Sequence, residues 1–217
     1  MNIHKILITA GPTYEKIDPV RFIGNYSSGK MGIALTEACL SRGLEVELVL
    51  GPVSEHIYKD LSSPLLHIKH IESANDMYNA CMSIYPTADA AILCAAVADF
   101  TPEVVADQKI KRKGEMTIRL IPTQDIAASL GKIKQQGQLL VGFALETNDE
   151  EDNARGKMQR KNFDFIVLNS LQDEGAGFRH DTNKITIIDK EKKTEFPLKS
   201  KKECAADIVE NLLKTPL

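Results

Sequence analysis

Six apolar runs of strand length recur along this chain: IHKILITAG (3–11), LEVELVLG (44–51), LLHIKHI (65–71), ADAAILCAA (88–96), QLLVGFA (138–144) and FDFIVLN (163–169). Between most of them lie stretches with the 3.6-residue apolar spacing of helices, at 28–42, 73–85, 124–136 and 148–162. Apolar strands alternating with amphipathic helices bury both sets of side chains in a parallel sheet covered on its two faces. The expected fold class is therefore α/β, a Rossmann-like mostly parallel sheet with helices on both faces. Downstream, NKITIID (183–189) and KTEFPL (193–198) flank a charged turn and predict a C-terminal antiparallel hairpin before a closing helix near 200–213. With no internal repeat and no low-complexity linker, the 217 residues are expected to form a single domain over 1–217. In such sheets ligands lie beyond the carboxyl ends of the strands, which directs attention to the segments after residues 10, 50, 96 and 144. Stretches 11–27 and 98–114 show neither period and are expected to be irregular, functional loops.

Composition narrows the partners. A net charge of -3 supplies no global positive field, and the basic run KIKRK (109–113) is local, so nucleic acid is not expected. No apolar run approaches the roughly 20 residues of a membrane helix, and MNIHKILITAG reads as a strand and not as a signal, so a cytoplasmic protein without a membrane partner is expected. Cys39, Cys81, Cys94 and Cys204 are scattered without a CxxC and are expected to be reduced and mostly buried. His67 and His70, three apart on a strand, point to opposite faces, which argues against a histidine metal site.

The stretch GNYSSGKMG (24–32) nearly matches a triphosphate loop, with four residues between Gly24 and the Gly29-Lys30 pair. Met31 stands where a magnesium-ligating hydroxyl is needed, and Gly11 to Ile23 intervene between the first strand and the glycine-lysine pair. A G-x-G-x-x-G dinucleotide fingerprint is also missing from the first crossover. The remaining chemistry is simpler: Ser27 or Ser28 capping a helix, Gly29 and Gly32 permitting close approach, and first-turn N–H groups attracting an anion. The same residues equally suit a capped helix packed on a sheet. Asn25, just upstream, places an amide beside whatever reacts there. In AAVADF (95–100), small side chains precede Asp99, a carboxylate suited to sugar hydroxyls, to a metal, or to capping a turn. Lys109 and Lys111 lie in a long loop, where they suit closure over a polyphosphate or plain solvation. Lys157 and Lys161 share a helix face, although the helix dipole alone accounts for bases late in NDEEDNARGKMQRKN. Phe143 ends a strand, placed to stack on a base or to fill the core.

In this order, ITAGPTYEKIDPVRFIGNYSSGKMG, AAVADF, KIK, PTQDI, VGFALET, ARGKMQRKNFD and IVLN, spanning roughly residues 7–169, resemble the phosphopantothenoylcysteine synthetase (phosphopantothenate-cysteine ligase) family of coenzyme A biosynthesis. The hairpin and last helix match it only in general character. The resemblance implies a two-step reaction. The carboxylate of 4'-phosphopantothenate attacks the α-phosphate of CTP, giving an acyl cytidylate and pyrophosphate, and the amine of L-cysteine then displaces CMP. Mg2+ is expected with the CTP. No flavin is expected, because nothing here corresponds to the decarboxylase half of the bifunctional bacterial proteins, so the monofunctional form is implied.

By resemblance, Asn25 handles the acyl cytidylate and Lys109 is the flap lysine. Gly11, Ser27, Gly29, Gly32, Ala95 and Ala96 bind phosphopantothenate. Asp99, Lys109, Thr123, Gln124, Asp125, Ile126, Phe143, Lys157 and Lys161 bind the nucleotide. Thr123-Gln124 stands where bacterial members typically carry Asn-Pro, and Leu145 where alanine is usual. The resemblance also implies a homodimer, with the hairpin and the loop after Asn169 as candidate contacts. On this reading SSGKMG seats the phosphate of the acyl substrate, and the triphosphate lies elsewhere. Two rival readings use the same fold class: a nicotinamide-dependent oxidoreductase and a non-catalytic nucleotide sensor.

Overall fold

The structure is a computed structural model that describes residues 3–112, 114–146, 150–170 and 181–216. The main sheet has eight strands among these residues: β1 (Lys5–Ala10), β2 (Glu45–Leu50), β3 (Leu66–His70), β4 (Ala90–Leu93), β5 (Leu139–Glu146), β6 (Phe165–Ser170), β7 (Ile185–Asp189) and β8 (Lys193–Glu195). Their spatial order is β3-β2-β1-β4-β5-β6-β7-β8. The first six are parallel, with β1 in register against β2 (Ile6 beside Val46) and β4 (Ile6 beside Ala90). Strands β7 and β8 add on antiparallel, as the predicted hairpin.

Helices cover both faces because each central strand is apolar on both. In β1, Ile6, Ile8 and Ala10 face α1 (Lys30–Leu40) and α5 (Lys201–Lys214), while Leu7 packs into the opposite core with α2 (Ala74–Ile84), α3 (Ile126–Ile133) and α4 (Glu150–Arg160). Local chemistry fixes the helix starts. Ser73 with Asp76 and Ser200 with Glu203 form capping boxes at α2 and α5, and Asp125 caps α3 by accepting from the Ala128 N–H at 3.0 Å.

The expectation of irregular loops at 11–27 and 98–114 is corrected. Tyr14–Lys16 and Phe22–Gly24 pair as an antiparallel ribbon, with the Tyr14 and Phe22 rings stacked 3.7 Å apart. Phe100–Pro102 pairs with Leu120–Pro122 in a second ribbon. These pairings are too short to show a period in sequence. The two segments are joined by the buried carboxylate of Asp18. It accepts from the N–H groups of Val20 (2.8 Å), Arg21 (2.9 Å) and, 92 residues away, Ile110 (3.1 Å), and it pairs with the Arg21 guanidinium. Arg21 in turn donates to the Ile110 carbonyl at 2.9 Å. The guanidinium, helped by these N–H groups against the effect of burial, holds the Asp18 carboxyl well below the usual carboxylate range.

Candidate active site

From β1 the chain moves outward to β2 and β3 and then crosses back to β4, so the connections leaving β1 and β4 diverge and open a crevice at their carboxyl ends. The segment after β4 closes over the end of β1: the Ala96 N–H donates to the Gly11 carbonyl at 2.9 Å, Ala95 N–H to Thr9 Oγ1 at 3.2 Å, and Ala98 N–H to Thr13 Oγ1 at 3.0 Å. A cavity of about 630 Å³ occupies this crevice, large enough for an extended small-molecule ligand.

Of the residues singled out from sequence, the cavity gathers Asn25, Ser27, Gly29, Gly32, Ala95, Ala96, Asp99, Thr123, Gln124, Asp125, Ile126, Phe143, Lys157 and Lys161. Gly11 and Lys109 do not line it. Gly11, at φ +81°, lies behind Gly29, where a Cβ on Gly29 would come within 3.5 Å of its Cα. Lys109 is exposed, next to the Ile110 anchored by Asp18.

Three local expectations change. The N-cap of α1 is Gly29 in the left-handed region (φ 77°), not a serine. Ser27 Oγ accepts instead from the Gly29 N–H at 3.3 Å, and among the described residues the N-cap supplies no side-chain hydrogen bond to the first turn, whose dipole faces the cavity. Gly32 lines the cavity and also packs closely on β1: a Cβ there would lie 2.3 Å from Ala10 Cβ. Asn25 donates its side-chain amide to the carbonyls of Ala96 (3.0 Å) and Val97 (3.1 Å). That geometry fastens the turn before α1 to the segment after β4 and leaves the amide oxygen for other contacts.

On the same cavity wall, Lys161 Nζ lies 3.1 Å from Asp125, and Lys157 lies one turn earlier. Burial pushes the Asp125 carboxyl up, but the Ala128 N–H and the Lys161 ammonium outweigh it and hold the group below its ordinary value. Thr123 is fastened to the rim, its Oγ1 donating to the Ala98 carbonyl at 2.7 Å and its N–H to the Asp99 carbonyl at 2.9 Å. The exposed Asp99 carboxylate has no hydrogen bond among the described residues. Phe143 packs partly against the core with the rest of its ring on the cavity.

Sequence reading missed Thr9, Lys30, Cys94, Asn169, Asn183 and Lys201, all of which line the cavity. Asn183, which precedes β7 and pairs with Lys199, and Lys201, which begins α5, come from segments whose local pattern announces only secondary structure. The cluster with metal-ligand spacing among the described residues, Glu45, Glu47 and His67, lies at the amino ends of the strands, away from the cavity. Lys5 Nζ already sits 2.8 Å from both of its glutamates.

The family described as DNA/pantothenate metabolism flavoprotein C-terminal domain matches residues 1–215. Among curated proteins, the chain is 56% identical over 215 residues to a cysteine/cysteine sulfinic acid decarboxylase from an unknown prokaryotic organism, covering 98% of this chain and 59% of that protein. It is 47% identical over 209 residues to the coenzyme A biosynthesis bifunctional protein CoaBC of Bacillus subtilis (strain 168), covering 95% of this chain and 50% of that one. The chain thus spans little more than half the length of these relatives. Among solved structures, the C-terminal domain of a coenzyme A biosynthesis bifunctional protein CoaBC superposes with a TM-score of 0.78 at 41% identity, covering 96% of this chain and 93% of that one. The chain belongs to the DNA/pantothenate metabolism flavoprotein C-terminal domain family.

Proposed function

We propose that this chain is a phosphopantothenate-cysteine ligase, joining 4'-phosphopantothenate to L-cysteine through an acyl cytidylate made from CTP. The observation that carries this reading is the cavity at the β1/β4 switch point, on whose wall distant segments bring together an uncapped helix start and two lysines. Family membership and the likeness to a CoaBC C-terminal domain support it.

In the first step an oxygen of the acyl carboxylate attacks the α-phosphorus of CTP and pyrophosphate leaves. In the second the cysteine amine attacks the acyl carbon, CMP departs with the bridging oxygen, and the amine proton passes to solvent. Each step brings two anions together. The protein's contribution is to hold them apart from water and neutralise them in place. The first turn of α1 receives the phosphate of the acyl substrate. Lys157 and Lys161 receive the nucleotide phosphates, with Asp125 positioning the Lys161 ammonium. Asn25 positions the two cavity walls relative to each other and turns its amide oxygen to the reacting groups. Lys109 would reach the nucleotide only by movement of its loop.

Mg2+ would arrive on the CTP phosphates and screen their charge. Asp99 is the carboxylate on the cavity placed to meet it, since Asp125 is engaged by Lys161 and Ala128. A homodimer is part of the proposal. Val20, Phe22, Phe100, Val105, Leu120 and Ile121 leave apolar surface exposed on the two ribbons, the kind of patch a second copy covers. The ribbons are thus better contact candidates than the C-terminal hairpin, and most of the loop after Asn169 lies outside the described residues. No helix among the described residues is long and apolar enough to cross a membrane, and a cytoplasmic setting is part of the proposal.

The test follows two products in separate stages, with CTP and ATP side by side. The ligase releases pyrophosphate only with phosphopantothenate and forms CMP only after cysteine is added. CTP binding without pyrophosphate release marks a sensor, and CO2 release from cysteine by this chain marks a decarboxylase like the 56% identical relative; either outcome refutes the ligase. NAD(P)H binding, followed by fluorescence, would favour the oxidoreductase.

A further inference from the structure

Helices α1 and α5 lie side by side on one face of the sheet, linked by Lys202 to Glu37 at 3.0 Å, and both begin at the cavity. Their starts carry Lys30 and Lys201. Lys30 reaches the cavity wall with its ammonium 2.6 Å from Asp181, a carboxylate that is itself 85% exposed. Lys201 is only 8% exposed, an unusual degree of burial for a lysine, yet it too lines the cavity. Beside it Asn183 is 2% exposed and lines the same wall. Its Nδ2 donates to Asn169 Oδ1 at 3.1 Å, but its own Oδ1 has no hydrogen-bond partner among the described residues. A buried amide oxygen without a donor costs free energy unless a ligand supplies one.

We propose that Lys201, at the start of α5, and Asn183, just before β7, complete a two-cation phosphate subsite with Lys30 and the first turn of α1. Two ammonium groups beside an uncapped helix start exceed the single exposed carboxylate of Asp181 that pairs with Lys30, so a phosphate on the cavity side is held by both charges. Burial and the neighbouring Lys30 press the Lys201 ammonium towards losing its proton more than the Asp181 carboxylate opposes it, and a bound phosphate favours the charged form. The Asn183 oxygen then accepts from a hydroxyl or amide N–H adjoining that phosphate. The proposal rests on the ligase reading only for the identity of the ligand. The phosphate itself belongs either to the acyl substrate or to the nucleotide.

The experiment titrates inorganic phosphate, 4'-phosphopantothenate, CTP and unphosphorylated pantothenate into the parent and into Lys201→Met, reading thermal shift and calorimetric affinity. Loss of one charged hydrogen-bond donor is expected to weaken the phosphate-bearing probes by about ten- to a hundred-fold. Pantothenate affinity is expected to stay unchanged. Whichever of phosphopantothenate or CTP loses affinity identifies the source of the phosphate. Parent-like affinity for every probe in Lys201→Met overturns the proposal, as does a parallel loss for pantothenate and phosphopantothenate. So does a parent protein that none of the phosphate-bearing probes protects. Should Lys201→Met fail to fold, the more exposed Lys30→Met decides by the same titration, and unchanged affinities there refute the subsite. Lys201-dependent phosphate protection without any pyrophosphate release would sink the ligase and leave the subsite standing. Full ligase turnover with unchanged affinities in Lys201→Met would do the reverse.

Discussion

Replacing Gly32 by alanine sets two physical effects against each other, and the structure decides the sign. In a helix interior the change normally stabilises by up to about 1 kcal/mol, because alanine loses less backbone entropy. Here the new Cβ would sit 2.3 Å from Ala10 Cβ and 3.1 Å from Ala10 Cα, on the fully buried central strand. Carbon atoms pack at about 3.8 Å, so α1 must retreat from β1 by roughly 1.5 Å at that point. Overpacking of this kind costs up to about 3 kcal/mol, leaving a net loss near 2 kcal/mol. For a domain of this size that lowers the melting midpoint by about 4–8 °C. The same retreat carries the first turn of α1 away from the cavity by a distance that breaks hydrogen bonds, so phosphate-dependent protection falls with it.

The comparison is Gly156→Ala in α4, where only the flexible Arg160 guanidinium stands within 4 Å of the new Cβ. That variant is expected to melt about 1–3 °C above the parent. Differential scanning calorimetry with and without phosphate measures both. A Gly32→Ala protein that melts at or above the parent with unchanged phosphate protection refutes the packing argument.

Asn25→Asp places a carboxylate oxygen against the Ala96 and Val97 carbonyls that the amide now satisfies. Pyrophosphate release is expected to fall at least about ten-fold with the fold intact by circular dichroism, and normal turnover would remove the positioning role. Asp18→Asn is expected to free the segment around Ile110, seen as faster amide exchange there. Because the folded-state Asp18 carboxyl is held below its unfolded value near 3.9, its stabilisation is complete above that pH and fades as pH falls below it. The gap in melting point between parent and Asp18→Asn should be constant from about pH 7 to 5 and narrow below about pH 4; a gap that widens in acid contradicts the assignment. Burial pushes the thiols of Cys39, Cys81 and Cys94 up to about 12 and that of Cys204 to about 11. Iodoacetamide at pH 8 is therefore expected to leave the buried Cys39, Cys81 and Cys204 unmodified until the protein is denatured, with Cys94, on the cavity wall, the first to react; rapid native labelling of the other three read by peptide mass would contradict their burial.

The sequence alone determined the layers. Strand runs such as ILI at 6–8 and the capping pairs Ser73/Asp76 and Ser200/Glu203 act within a few residues of chain, so their periods and spacings are readable without knowing what packs against them. The family strings likewise located most of the cavity wall, because ligand-contacting residues cluster at strand ends. Tertiary structure decided the rest. Only the placement of β1 between β2 and β4 brings Asn25 onto the carbonyls of residues 96 and 97, and only folding shows that Gly32 answers to Ala10. Asp18 meets Ile110 across 92 residues, and Lys201 reaches a cavity begun at Thr9. Such contacts leave no periodic trace, since nothing local distinguishes a lysine that will be buried beside a helix start from one that will be left in water.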